Sequence, residues 1–257
     1  MEKLLYLAFA SPNVPVRDGD DVLAAACEVF GPARYRGVTV QLPRADVEAA
    51  RRRERGVVLE HVGGEREQRA GARERLVAMV SLWLDCGDDH TDADAFMSSL
   101  GDHVRGYSVA EAVPHWVVDD DGNGPPDAVV AVTLMRPAPG TDGADLVRHW
   151  CEVHMPLSLR THPQWSYIRN VVVCPLLPEA DPPVAIAEQG IPHPDDLVDA
   201  RRFYGGFDDE SYEANRAAIL ADVPRFLDPT TTETFVTQEH VLRRAWVPLP
   251  VDRRVTT

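Results

Sequence analysis

Residues 128–157 open with Ala128-Val129-Val130-Ala131-Val132-Thr133-Leu134-Met135 and turn at Arg136-Pro137-Ala138-Pro139-Gly140. They continue as Asp145-Leu146-Val147-Arg148-His149-Trp150-Cys151-Glu152-Val153-His154-Met155-Pro156-Leu157. The first run is almost wholly apolar and stops at a proline, the pattern of a central strand. A helix is expected over Gly143 to Leu159, because Leu146, Trp150, Val153 and Leu157 fall on one stripe with His154 on its edge. Pro156 removes the amide that would pair with the Glu152 carbonyl, so this helix should kink or restart there. A histidine just before such a break, beside an indole, can point into a cavity.

Outward from this stretch, the C-terminal part reads as a strand over Trp165 to Leu177, a strand over Val184 to Glu188, a helix over Ser211 to Phe226 and a strand over Thr234 to Leu242. Upstream lies Asp119-Asp120-Asp121-Gly122-Asn123-Gly124-Pro125-Pro126-Asp127, where acidic repulsion, glycine freedom and proline stiffness all oppose regular structure. The part before it reads as strand Leu4 to Ala10, helix Asp20 to Phe30 capped by Asp20 or Asp21, and strand Gly37 to Leu42. Strand Arg75 to Leu84, helix Asp92 to Leu100 capped by Thr91 or Asp92, and strand Gly106 to Trp116 follow. The charged segment Ala45 to Arg55 reads as an exposed helical insertion.

Each half therefore has the order β, α, β, β, α, β, which places helices on one face of an antiparallel sheet. The bare face needs a cover, and the second copy supplies it. The expected fold is α+β, with two tandem ferredoxin-like units forming an intrachain pseudo-dimeric α/β barrel. The units are 1–118 and 128–250, joined by a linker at 119–127.

Composition narrows the chemistry. The 257 residues carry a net charge of −15 with no clustered basic face, which argues against nucleic acid or a membrane surface as partner. The apolar N-terminal run is too short to span a membrane and lacks a basic leader. Four scattered cysteines, Cys27, Cys86, Cys151 and Cys174, with no CxxC, suggest a reduced, cytoplasmic protein. Lys3 is the only lysine, so Schiff-base, pyridoxal and Walker-type chemistry have one poor candidate. Gly-x-Ser-x-Gly, HExxH and Gly-rich phosphate loops are all missing from the sequence.

The C-terminal half resembles the EthD-type family of the dimeric α/β-barrel superfamily. The resemblance rests on Arg136-Pro137 with Gly140, Trp150 with His154-Met155-Pro156-Leu157, Trp165-x-Tyr167 with Asn170, Phe226-Leu227-Asp228, and Phe235-Val236-Thr237-Gln238-Glu239-His240. It covers about residues 128 to 243. The first half has no aromatic-x-x-x-His pair and looks like a degenerate copy, serving as scaffold or lid. The resemblance implies a cavity between sheet and helices for a small, largely apolar molecule, in a superfamily of cofactor-free cyclases, decarboxylases, isomerases and monooxygenases. The fold does not choose among these reactions.

His154 is the candidate acid–base group, since imidazole both takes and returns a proton near neutral pH. Trp150 is a candidate wall for an aromatic ligand, with core packing as the rival role. Strand alternation puts Trp165, Tyr167 and Arg169 on one face and Ser166, Ile168 and Asn170 on the other, so only one set can face the cavity. Tyr167 or Asn170 is a candidate donor to a substrate oxygen or enolate. Arg136 and Arg169 are candidates for binding an anionic substrate group; His240, on the last strand, is a candidate substrate-binding residue, either as a second acid–base group or as a solvated edge residue. A metal site from His149, Glu152, His154 and His162 is disfavoured, because five α-helical steps set His149 and His154 about 140° apart.

The expected activity is a cofactor-independent proton transfer on a small aromatic, polyketide-like or terpenoid carbonyl compound, leading to decarboxylation, isomerisation, cyclisation or dehydration. No cofactor is expected. The alternative is a non-catalytic small-molecule binder or an accessory to an oxygenase system; haem or dioxygen chemistry is a third reading. A monomer or homodimer is expected.

Overall fold

The computed structural model describes residues 1–31, 34–53, 74–117 and 124–245. Among the described residues eight strands and the intervening helices begin β1 (Glu2–Ala10), α1 (Gly19–Phe30), β2 (Tyr35–Pro43), α2 (Ala45–Arg53), β3 (Arg75–Leu84), α3 (Thr91–Ser98), β4 (His103–Trp116) and β5 (Val129–Met135). A three-part helix follows, then β6 (Ser166–Pro175), β7 (Ala185–Ile191), α6 (Pro194–Val198), α7 (Ala200–Tyr204), α8 (Asp209–Asp222) and β8 (Glu233–Arg243). The three-part helix is α4 (Gly143–His149), a π-helical turn over Trp150–His154, and α5 (Met155–Thr161).

The strands close one barrel in the order β1-β3-β2-β8-β5-β7-β6-β4, every pairing antiparallel. Each half keeps the ferredoxin-like order, β4-β1-β3-β2 and β8-β5-β7-β6. The two sheets join edge to edge through β2–β8 and β4–β6. Closure removes every free sheet edge, and it explains why β1 and β5 are apolar on both faces despite being antiparallel. In β1, Leu4, Tyr6, Ala8 and Ala10 pack under the first unit's helices, while Leu5, Leu7 and Phe9 fill the barrel with Met79, Val132, Leu134 and Ile186.

The lumen changes character along its axis. Toward the end where β1 starts, Lys3 pairs with Glu111 (2.7 Å) and Glu188 (3.0 Å). Gln41 and Asn170 donate to Glu188, Thr237 donates to Gln41, and Trp83 donates to Glu111. This network consumes the only lysine in a structural role, because a buried charge needs partners that replace its water.

Several expectations need correction. Asp18, not Asp20 or Asp21, caps α1, accepting from the Asp20 amide. His90 occupies the cap position of α3 and makes no side-chain cap bond. The segment read as an exposed insertion is anchored: Val47 is buried in the second unit's core, and the Arg44 amide donates to the Val236 carbonyl at 2.9 Å. Helices α6 and α7 had no counterpart in the sequence reading. Most of the expected linker, and residues 54–55 of the insertion, lie outside the described residues.

Candidate active site

The long helix of the second unit begins at Asp142, whose carboxylate accepts from the Asp145 amide at 2.8 Å. Its expected disturbance at Pro156 takes a specific form. The Met155 amide bonds back to the Trp150 carbonyl, an i→i−5 link that widens one turn into a π-helix. Such bulges recur at functional sites because they re-aim the side chains on either side.

Here the re-aimed side chains are two histidines. His149 and His154 lie one π-turn apart, so both reach the same carboxylate, Asp222 at the end of α8: His149 Nε2 to Oδ1 at 2.7 Å and His154 Nδ1 to Oδ2 at 2.9 Å. The 140° separation expected on a regular α-helix is overturned by the wider turn. Phe226 seats both rings, with centroids at 5.1 Å from His149 and 4.9 Å from His154. Burial favours the protonated Asp222 carboxyl, but the hydrogen bonds and charge of His154 and His149 outweigh it and hold its pKa below the usual carboxylate value. The ionised carboxylate fixes a proton on His154 Nδ1, leaving Nε2 as the basic nitrogen.

That ring lines a cavity of about 50 Å³ between the second sheet and its helices, with Trp150, Tyr167, His162, Met135, Gln189 and Phe203 also in its wall. One water needs about 10–15 Å³ by this measure, so the space admits a functional group rather than a ring system. Across it, Trp150 Nε1 donates to the Tyr167 hydroxyl at 2.8 Å. Burial raises the Tyr167 pKa to about 12, against the lowering effect of hydrogen bonds from Trp150 and Gln189. With its oxygen accepting those two bonds, the Tyr167 O–H is left to donate. His162 gives its Nδ1 proton to the Phe203 carbonyl at 2.8 Å, and burial drives its pKa down to about 3, so it is neutral at physiological pH.

The structure thus brings together His154, Trp150 and Tyr167 and separates the remaining candidates. Asn170 is on the opposite face of β6, inside the barrel, bonded to Glu188. Arg136 is held by the carbonyls of Thr231 and Asp181 and the carboxylates of Asp181 and Glu233, away from the cavity. Arg169 lies behind the indole, its guanidinium carbon 6.0 Å from the Trp150 ring, and is not part of the wall. His240 is on the outer face of β8, where burial lowers its pKa and Asp20 partly opposes this. Trp165 precedes β6 and escapes its alternation, packing on Trp116 at 5.0 Å. Asp222 was missed: in sequence it is one more acid on a polar helix, with only Phe226 four residues on to mark it. Among the described residues no group of three His, Cys, Asp or Glu side chains is placed to hold a metal ion.

Residues 138–230 match the model of the EthD domain. No curated protein matches the sequence. Among solved structures, an anthrone oxidase-like protein shares the fold with a TM-score of 0.53 and 9% identity, over 96% of this chain and 95% of that one. A candidate monooxygenase from Lactobacillus acidophilus NCFM gives 0.44 and 7% identity over 93% and 94% of the two chains. A mutant chlorite dismutase from Candidatus Nitrospira defluvii gives 0.40 and 11% over 92% and 90%. The segment that supplies His149, Trp150, His154, Tyr167, His162 and Asp222 thus lies within the stretch similar to the EthD domain, in the second half of a single-chain α+β barrel.

Proposed function

We propose that this protein is a cofactor-independent acid–base enzyme that moves a proton α to the carbonyl of a small aromatic, polyketide-like or terpenoid compound. The observation that carries the proposal is the Asp222–His154 pair at the cavity wall: a carboxylate 2.9 Å from Nδ1 orients the imidazole and stabilises its cation once Nε2 has taken a proton. Tyr167, protonated and with its O–H uncommitted, serves as the donor to the developing enolate oxygen. Trp150 holds that phenol in place. The apolar wall of Met135, Phe203, Ile219 and Leu227 excludes water from the proton transfer.

A ring system requires the cavity to enlarge. Gly205 and Gly206, at φ +63° and +115°, join α7, which carries the wall residue Phe203, to α8, and Phe207 just after them is fully exposed. Only glycine adopts such angles freely, and we assign this turn as the hinge that admits substrate.

We also place the protein in the cytoplasm, supported by four free cysteines, and infer a monomer, since both sheet-to-sheet seams are satisfied within the chain. We also propose the division into units 1–118 and 128–250; the end of β4 at Trp116 and the start of β5 at Val129 support it.

The test is exchange of α-protons in D2O, read by mass spectrometry, across phenolic, β-keto and terpenoid carbonyl compounds. Wild type should exchange or convert at least one of them, and folded His154→Gln should bind it but lose about 10²–10⁴-fold in rate. Equal binding by both proteins with no exchange by either would establish a binder or oxygenase accessory instead.

A further inference from the structure

His162, just past the end of α5, lines the same cavity as His154, and the proton transfer proposed above does not use it. It is 8% exposed. Its Nδ1 bonds the Phe203 carbonyl at 2.8 Å, and the Phe203 ring lies against it with centroids 3.9 Å apart. A carbonyl only accepts, so Nδ1 carries the proton. Nε2 is then a bare lone pair, and it has no hydrogen-bond partner among the described residues. His149 and His154 share the Asp222 carboxylate, whereas no carboxylate pairs with His162 among the described residues. Burial keeps its ring neutral against the bond to Phe203, and the nearby charge of His154 adds to that effect.

The wall of the cavity therefore presents one donor, the Tyr167 O–H, and two bare imidazole acceptors, the Nε2 atoms of His154 and His162. Thr133 is paired with Thr234 at 3.2 Å, and Gln189 donates to Tyr167. The proposed reaction occupies two of the three: a carbonyl oxygen faces Tyr167 and the α C–H faces His154. A ligand that set carbon against His162 would strand a buried acceptor and bind less tightly. The third contact calls for a second proton donor in the ligand, and a neutral one. An ammonium group would share an apolar cavity with the imidazolium that His154 becomes on taking its proton. A carboxylate would turn its lone pairs toward two acceptor nitrogens. A hydroxyl avoids both conflicts.

We infer that His162 is a specificity-determining residue of the acid–base site, and that the compound it selects carries a hydroxyl on the first or second carbon from its carbonyl. The inference rests on the reading of His154 and Tyr167 given above and adds the substrate class, an α- or β-hydroxy carbonyl compound. Its hydroxyl donates to His162 Nε2 while its carbonyl accepts from Tyr167. The short spacing between the two groups follows from the space that holds both contacts, about 50 Å³. His162 has no proton to give the hydroxyl, because its Nδ1–H is held by Phe203, so it positions that group and does not expel it.

The test compares hydroxymethyl phenyl ketone and 2-hydroxyethyl phenyl ketone with their methyl ethers and with the parent ketones acetophenone and propiophenone. Each is titrated calorimetrically into the full chain at about pH 7.5, where His162 is neutral, and the histidines are followed by nitrogen-15 NMR. At least one hydroxy ketone should bind about ten-fold more tightly than its ether and its parent. That compound alone should move the His162 Nε2 resonance away from its bare-nitrogen position. Folded His162→Phe, which keeps a ring beside Phe203, should bring the three affinities within about two-fold of one another. The resonance is read on wild type, so a poorly folded variant leaves the test intact. Equal affinity within both series, no binding by any compound, an unmoved His162 Nε2, or a preference that survives His162→Phe overturns the inference. Exchange of α-protons is scored separately. Exchange without a hydroxyl preference removes the role of His162 and keeps the acid–base reading, whereas a hydroxyl preference without exchange upholds the His162 contact and removes the catalytic reading.

Discussion

His154 and Asp222 stand 68 positions apart in the chain, yet Nδ1 of the one lies 2.9 Å from Oδ2 of the other. The contact exists because a π-turn swings His154 toward the end of α8, and the same turn brings His149 to the second carboxylate oxygen.

Replacing Asp222 by Ala leaves the buried imidazole N–H of His154 and the half-buried one of His149 without their acceptor. The expected loss of stability is about 1–3 kcal/mol. Nitrogen-15 chemical shifts should show wild-type His154 as the Nδ1–H tautomer and the variant as a mixture; an unchanged tautomer would remove Asp222 from any positioning role.

Trp150 and Tyr167 act as a pair. Tyr167→Phe strands the buried Trp150 N–H and should cost about 1–3 kcal/mol. In a double-mutant cycle with Trp150→Phe, the pair should couple by about 0.5–3 kcal/mol. Simple additivity in urea melts would show that the 2.8 Å bond contributes nothing.

Lys3 offers a sharper contrast. Lys3→Met leaves Glu111 and Glu188 without their cation and is expected to destabilise the barrel by about 3–5 kcal/mol. Adding Glu111→Gln and Glu188→Gln to the same chain should recover most of that loss. If the single variant melts with wild type, the network is not holding the lumen together.

Two groups give stability opposite pH dependences. Unfolded, His162 takes a proton near pH 6.5, but folded only near about 3; its contribution is full above 6.5 and drains as pH falls toward 3. Glu239 ionises near 4.5 when unfolded and near about 7 when folded, so its contribution is full below 4.5 and is lost as pH rises through 7. His162→Gln should therefore flatten the acid side of the stability profile and Glu239→Gln the neutral side. Denaturant midpoints collected from about pH 4 to pH 8 check both signs; a variant whose profile overlays wild type contradicts its assignment.

Much of this architecture is legible in local pattern. The proline after Met135 and the alternating or continuous apolar runs mark strands, and Asp142 and Asp208 before periodic segments mark helix starts. The His154–Pro156 spacing announces a disturbed helix. Other features leave no local trace. Val47 sits in a charged segment whose neighbours are polar, and only the β2–β8 seam, which brings the second unit beside α2, explains its burial. Asn170 and Tyr167 are equally polar and three positions apart on one strand. Alternation separates them, but it does not say which side holds the histidine.

The sequence by itself determined the order of the strands and of the helices other than α6 and α7, the doubled ferredoxin-like plan, the barrel that follows from two bare sheet faces, and His154 beside Trp150. These depend on hydrophobic period and backbone chemistry within a few residues, which are local properties of the chain. Tertiary structure alone decided that His149 and His154 share Asp222, that Tyr167 faces them while Asn170 lines the barrel, and that Arg136 and His240 stand apart. Those outcomes depend on strand register, barrel closure and one extra residue in one helical turn, and each follows from contacts between distant segments.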